Sequence, residues 1–206
     1  MNTSEKLDFL VSHKAEYLMP KKPALLEIGP ANYLCIQGLG KPGDARFEAH
    51  IGALYGMAFT IKMTRKAAGL GDYAICKLEC LTLAMTEDPR EPWHWQLLIR
   101  TPEFVKQADL VAASKKLDQR QPGPPYMEVS MTQLHEGSCV QFLHVGPYSE
   151  ECKSFAAMEA FAQSKGLQVK GPPHEIYISD PRRVEPAKLK TLLRLPVEKA
   201  PSRSRA

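Results

Sequence analysis

The chain has 206 residues, of which 44% are hydrophobic and 24% charged, and a formal net charge of +4. That length can bury a proper core as one large domain or two small ones, and the composition excludes a disordered chain. The only dense basic cluster is the terminal Pro201-Ser202-Arg203-Ser204-Arg205-Ala206, which reads as a frayed tail, so no direct nucleic-acid binding is expected.

The five cysteines, Cys35, Cys76, Cys80, Cys139 and Cys152, form no CxxC pair and read as reduced thiols. The N-terminus is polar and no apolar run reaches membrane-spanning length, so the expected compartment is the cytoplasm and no membrane partner is expected. The histidines show no metal-ligand spacing, and neither a metal nor another cofactor is expected.

In chain order, residues 6–17 read as a short helix and residues 24–28 as an apolar strand after Pro20-Lys21-Lys22-Pro23. A second strand spans 33–39. Asp44 is a plausible N-cap for a long helix over 46–66, on which Phe47, Ile51, Leu54, Tyr55, Ala58 and Ile61 recur at helical spacing. Strands follow at 73–83 and 93–100. Thr101-Pro102-Glu103 reads as the start of a connector helix over 102–117, which Gln121-Pro122-Gly123-Pro124-Pro125 breaks. Strands at 126–134 and 138–145, a helix capped by Ser149 and ending at Gly166, and strands at 174–179 and 188–195 complete the chain.

Both halves thus read strand, strand, helix, strand, strand. The expectation is an α+β fold, a pseudo-two-fold tandem repeat of ββαββ units with antiparallel sheets backed by helices around a central ligand cleft. Repeat 1 would span 24–100 and repeat 2 126–195, inside a domain over 20–197. Residues 1–19 would be an N-terminal extension and 198–206 a flexible tail.

The most informative stretch is His174-Glu175-Ile176-Tyr177-Ile178-Ser179-Asp180-Pro181. Side chains alternate along a strand, so His174, Ile176 and Ile178 go to a core while Glu175 and Tyr177 project together from the other face. A carboxylate beside a phenol can hold a ligand or move a proton. In the first half Glu79 falls where Glu175 falls, which would turn both carboxylates toward a shared cleft. Trp93, Trp95, Tyr148 and Tyr55 are the candidate aromatic lining, with core packing as the alternative for both tryptophans and for Tyr55. Such a cleft suits a small planar aromatic or cationic ligand.

The runs His144-Val145-Gly146-Pro147-Tyr148, then His174 to Arg183, then Pro186-Ala187-Lys188-Leu189-Lys190-Thr191 resemble the GyrI-like small-molecule-binding family. So do Pro20-Lys21-Lys22-Pro23, Leu78-Glu79 and Trp93-His94-Trp95. The resemblance covers about residues 17–197. It implies a tandem-repeat fold with a central ligand cleft, and similarity to the stand-alone branch rather than to regulators carrying a DNA-binding segment. That branch includes cyclopropanoid cyclopropyl hydrolases, non-catalytic binding modules and inhibitors of DNA gyrase.

On the hydrolase reading Glu175 is a general base or water-orienting group, Tyr177 or Tyr148 donates to a developing phenolate, and Glu79 is a second carboxylate. One departure from the family pattern is Leu81-Thr82-Leu83, where bulky aromatics are common. Ser179 and Cys139 have no evident base partner for nucleophilic catalysis.

Overall fold

Why Asp44 starts the longest helix is visible in the computed structural model, which describes residues 6–85, 92–120 and 125–201. Its carboxylate accepts the Phe47 backbone N–H at 2.7 Å, satisfying a donor that the first helical turn leaves free. The helix, α2 (Ala45–Ala67), buries Phe47, His50, Ala53, Leu54, Met57, Ala58 and Ile61 along one side. It follows α1 (Phe9–Ser12), β1 (Ala24–Ile28) and β2 (Ala31–Leu39). After it come β3 (Leu78–Ala84), β4 (His94–Thr101), α3 (Gln107–Arg120), β5 (Ser130–Leu134), β6 (Gly137–Val145), α4 (Glu151–Ser164), β7 (Leu167–Val169), β8 (His174–Tyr177) and β9 (Lys190–Lys199).

The mixed α+β architecture with antiparallel strand pairing is as the sequence predicts, but the chain divides into two compact units that do not follow its linear order. The first takes the N-terminal residues through Lys14 together with Pro30–Leu134, and the second takes Ala15–Gly29 together with His135–Ala206. In the first unit β4 pairs with β3 and β2, and β5 pairs with the other edge of β2. In the second, β6 pairs with β1 and β9, and β9 also pairs with β8 and β7. The strand expected to open each repeat therefore pairs in the opposite unit.

Several boundaries differ from expectation. Thr101 does not cap a helix: it ends β4, opposite Asn32, and α3 begins only at Gln107. The strand expected from residue 73 begins at Leu78, while Tyr73 makes an isolated bridge to Leu7. Residues 126–128 belong to a 3-10 turn ahead of β5. Ser149 lies inside another 3-10 turn and α4 starts at Glu151. β7 is an element the sequence reading missed. The break expected at 121–124 lies outside the described residues.

No helix among the described residues is long and apolar enough to cross a membrane.

Candidate functional site

Residues directly opposite on antiparallel strands share a face, so the register sorts the candidate side chains. In the first unit Trp95 lies opposite Gly38 and Thr82, while Glu79 lies opposite Leu98. Trp95 and Leu98 are three residues apart on one strand, so Trp95 and Glu79 point to opposite faces. The Trp95 face is covered by α2. Phe47 and His50 meet the indole edge-on at 4.9 and 5.3 Å between ring centroids, and Trp95 is 1% exposed. Trp95 is therefore core and not pocket lining. Its ring also needs Gly38, because a Cβ there would come within 2.1 Å of the indole.

Trp93 precedes β4, is half-buried, and accepts the Gly40 N–H on its carbonyl. Tyr55 is half-buried on α2, its ring 6.4 Å from the exposed Phe59. Glu79 is fully buried on the face away from α2.

In the second unit β8 works on both of its faces. His174 and Arg194 stand opposite one another, and Arg194 stands opposite Gln141. Along this row Glu136 accepts from His174 Nδ1 at 2.9 Å and from Arg194 at 3.0 Å. Arg194 also donates to Gln141 at 2.6 Å and to the Glu16 carbonyl, and Gln141 donates to the Leu18 carbonyl at 2.6 Å. Burial disfavours the Glu136 carboxylate, but His174 and Arg194 outweigh it and hold its carboxyl down at about 2. His174 is thus core, as its alternation implies, and is held by this buried network.

The other face carries Glu175 and Tyr177. Glu175 stands opposite Leu193, and Tyr177 opposite Thr191, which in turn faces His144. This is the face that α4 covers. Met158 and Ala162 of α4 pack on Val140, Leu193 and Leu195, and His144 Nδ1 lies 2.9 Å from the Ser154 hydroxyl of α4. The Tyr177 hydroxyl donates to Glu175 Oε2 at 2.9 Å. Tyr148, 40% exposed, meets Tyr177 edge-on at 5.7 Å.

The residue that sequence reasoning missed here is Glu151. It is the first residue of α4, 6% exposed, and its Oε1 makes no hydrogen bond in the structure. Its signal was spacing. Residues 151, 154, 158 and 162 form the buried stripe of α4, and a carboxylate on such a stripe stands out.

Burial and then Glu175 push the Glu151 carboxyl up to about 8, against the favourable Thr191 hydroxyl. Glu175 is also raised, chiefly by burial, with Tyr177 and His174 opposing. Burial, with Glu151, Glu175 and Asp180 beside it, lifts the Tyr148 hydroxyl to about 12. This face therefore brings a phenolic donor together with two buried carboxyls, both of which resist ionisation.

The same registers correct the alignment of the two glutamates. The row Gly38–Trp95–Thr82 corresponds to His144–Thr191–Tyr177, which sets Cys80 against Glu175 and Glu79 against His174. The expected match is off by one residue, and in a strand one residue exchanges the faces.

A hydrolase from Listeria innocua superposes with a TM-score of 0.86 at 32% identity, over 94% of this chain and all of the other. An uncharacterized conserved protein from the same organism gives 0.87 at 34% identity with the same coverage. The GyrI-like small molecule binding domain matches residues 103–198. The chain belongs to the GyrI-like small-molecule-binding family. This GyrI-like chain shares the fold alone with the C-terminal domain of EcmrR, at 16% identity over 88% of this chain and all of that domain, with a TM-score of 0.55. No curated protein matches it. The match at 103–198 takes in Tyr148, Glu151, Glu175 and Tyr177, and leaves out Glu79 and Trp95.

Proposed function

We propose that this GyrI-like protein is a detoxifying hydrolase that opens the cyclopropane of planar, electrophilic DNA-alkylating compounds with Glu175 as general base. The observation that carries the reading is the Tyr177 hydroxyl fixed on Glu175 at 2.9 Å, on the helix-covered face beside Tyr148. A base needs a defined orientation and a proton affinity near its working pH. The bond to Tyr177 supports the first, and burial raises Glu175 above the ordinary carboxylate range, which makes it a stronger base than a solvated glutamate.

In the reaction, water oxygen attacks the cyclopropane CH2 and gives its proton to the Glu175 carboxylate. The strained C–C bond breaks and its electron pair moves into the conjugated dienone, which becomes a phenolate. Tyr148, which keeps its proton at neutral pH, donates a hydrogen bond to that developing oxyanion; solvent supplies the proton that completes the phenol and takes back the one that Glu175 accepted. The partly exposed Tyr148 ring gives a flat ligand a stacking surface. Glu79 remains the second carboxylate proposed from sequence, and Trp93 and Tyr55 remain proposed ligand contacts.

The test follows a cyclopropane-bearing, DNA-alkylating compound by chromatography and mass, with wild type, Glu175→Gln and Glu79→Gln in parallel. Wild type is expected to give a product one water heavier, and Glu175→Gln to lose at least a hundredfold in rate, the usual scale for a general base. Full turnover by Glu175→Gln would remove the base assignment. Tight binding without product in wild type would leave a binding module in place of an enzyme.

A further inference from the structure

We infer that Glu151 is a positioning residue of this site: its buried carboxyl faces Glu175 and the two share one proton, so the pair holds one proton and one negative charge. The role deepens the hydrolase reading and rests on it for its kinetic consequence only.

The placement comes from three elements. Thr191 sits mid-row between His144 and Tyr177, and the contact between His144 and Ser154 holds the first turn of α4 over that row. Glu151 is three residues before Ser154, hence on the same side of the helix and nearer its start. The turn just ahead of it carries Tyr148, whose ring touches Tyr177. Tyr177 is in turn bonded to Glu175, so Glu151 and Glu175 lie on one face with the two tyrosines around them.

The titratable groups facing the pair are Tyr177 from β8, Tyr148 from the turn before α4 and His144 from β6, with His174 acting on Glu175 from the far face of the strand and Asp180 acting on Tyr148. No hydrogen bond in the structure satisfies Glu151 Oε1, and an ionised carboxylate buried in that condition is costly. A carboxylic acid there can donate to its neighbour. Burial together with the Glu175 charge favours that protonated form, as in other paired carboxyls that titrate in two steps.

A proton held between the two carboxyls orients Glu175 and leaves the site with a single charge for a neutral electrophile. When the pair gives up that proton, the donor is lost and two negative charges face each other. Turnover should then fall on the alkaline side.

The test is a pH titration of the side-chain carboxyls by carbon-13 NMR on the intact protein, in wild type, Glu151→Gln and Glu175→Gln. Wild type is expected to show an upper step near pH 8. That step should vanish in Glu151→Gln, and in Glu175→Gln the remaining carboxyl should lose about tenfold or more in proton affinity. An upper step that survives in Glu151→Gln, or one that does not move in Glu175→Gln, overturns the inference. As a second readout, the alkaline fall of kcat/KM in wild type should disappear in Glu151→Gln, whose amide donates at every pH. A purely structural role would lower kcat/KM without changing that limb. Coupled titration without hydrolysis would support the shared proton and remove the hydrolase reading.

Discussion

Glu136 shows how much one buried side chain can hold. Both of its oxygens are used, one by His174 and one by Arg194, and Arg194 is itself 1% exposed. Glu136→Gln would leave a buried guanidinium without its counter-charge, a loss of about 3–5 kcal/mol by comparison with other broken buried pairs. Chemical denaturation at neutral pH measures it. The pH dependence has a definite sign. The folded carboxyl is depressed to about 2 from an ordinary 4.5, so its stabilisation is complete above 4.5 and lost as pH falls toward 2. Wild type should lose that stability in this window and the variant should not, as acid titrations followed by circular dichroism would reveal. Side-chain roles on β8 were legible because alternation alone separates His174 from Glu175 and Tyr177. Glu79 was not legible, since a one-residue slip between two short strands leaves no mark in composition. Glu151 was not legible either, because it stands out only once its neighbours at 154, 158 and 162 are known to be buried.

At the scale of elements, α2 and its cap could be read directly, because an N-cap aspartate followed by apolar residues at helical spacing satisfies backbone and core together. The α3 start misled for a physical reason. Thr101-Pro102 has the chemistry of a helix start, but the Thr101 side chain is buried and its backbone pairs with β2, so tertiary pairing overrode local preference. The β2–β4 pair makes its own prediction. Gly38→Ala places a methyl group into the Trp95 ring, and overpacking of this kind costs about 1–3 kcal/mol. Urea unfolding should show that loss, and adding Trp95→Leu should recover part of it by removing the ring that the methyl meets. If Gly38→Ala is as stable as wild type, the indole is free to move and its packing between α2 and β2 is looser than described.

For the whole molecule, the relevant fact is that each unit is made from two separated stretches of chain. The order of elements was readable from periodicity and turn residues. Which strand pairs with which was not, because β1 and β5 are five residues each and carry no signal of their partners. The family match at 103–198 therefore cuts through the architecture. It contains β6, β8 and most of β9, but lacks β1 and the Glu16 and Leu18 carbonyls that Arg194 and Gln141 use. A polypeptide of residues 103–198 is expected to show no cooperative thermal unfolding by circular dichroism. Supplying residues 15–29 as a peptide to residues 135–206 should raise helix and strand signal, because it restores the missing edge of β6. A cooperative transition in 103–198 alone would show that β1 is dispensable.

The exchange of β1 and β5 also sets a timetable for the nascent chain. Leu26 pairs with Cys139 and Ile28 with Gly137, so β1 leaves the ribosome more than a hundred residues ahead of its partner, a wait on the order of ten seconds at ordinary synthesis rates. Throughout that interval its leucines and isoleucine have no sheet to join, while the first unit can close as soon as β5 emerges. Contacts this distant along the chain also slow refolding from denaturant, since the loop between them must be closed before any pairing energy returns. The cell therefore holds, for those seconds, a half-finished protein with one completed unit and a bare apolar strand in need of shelter.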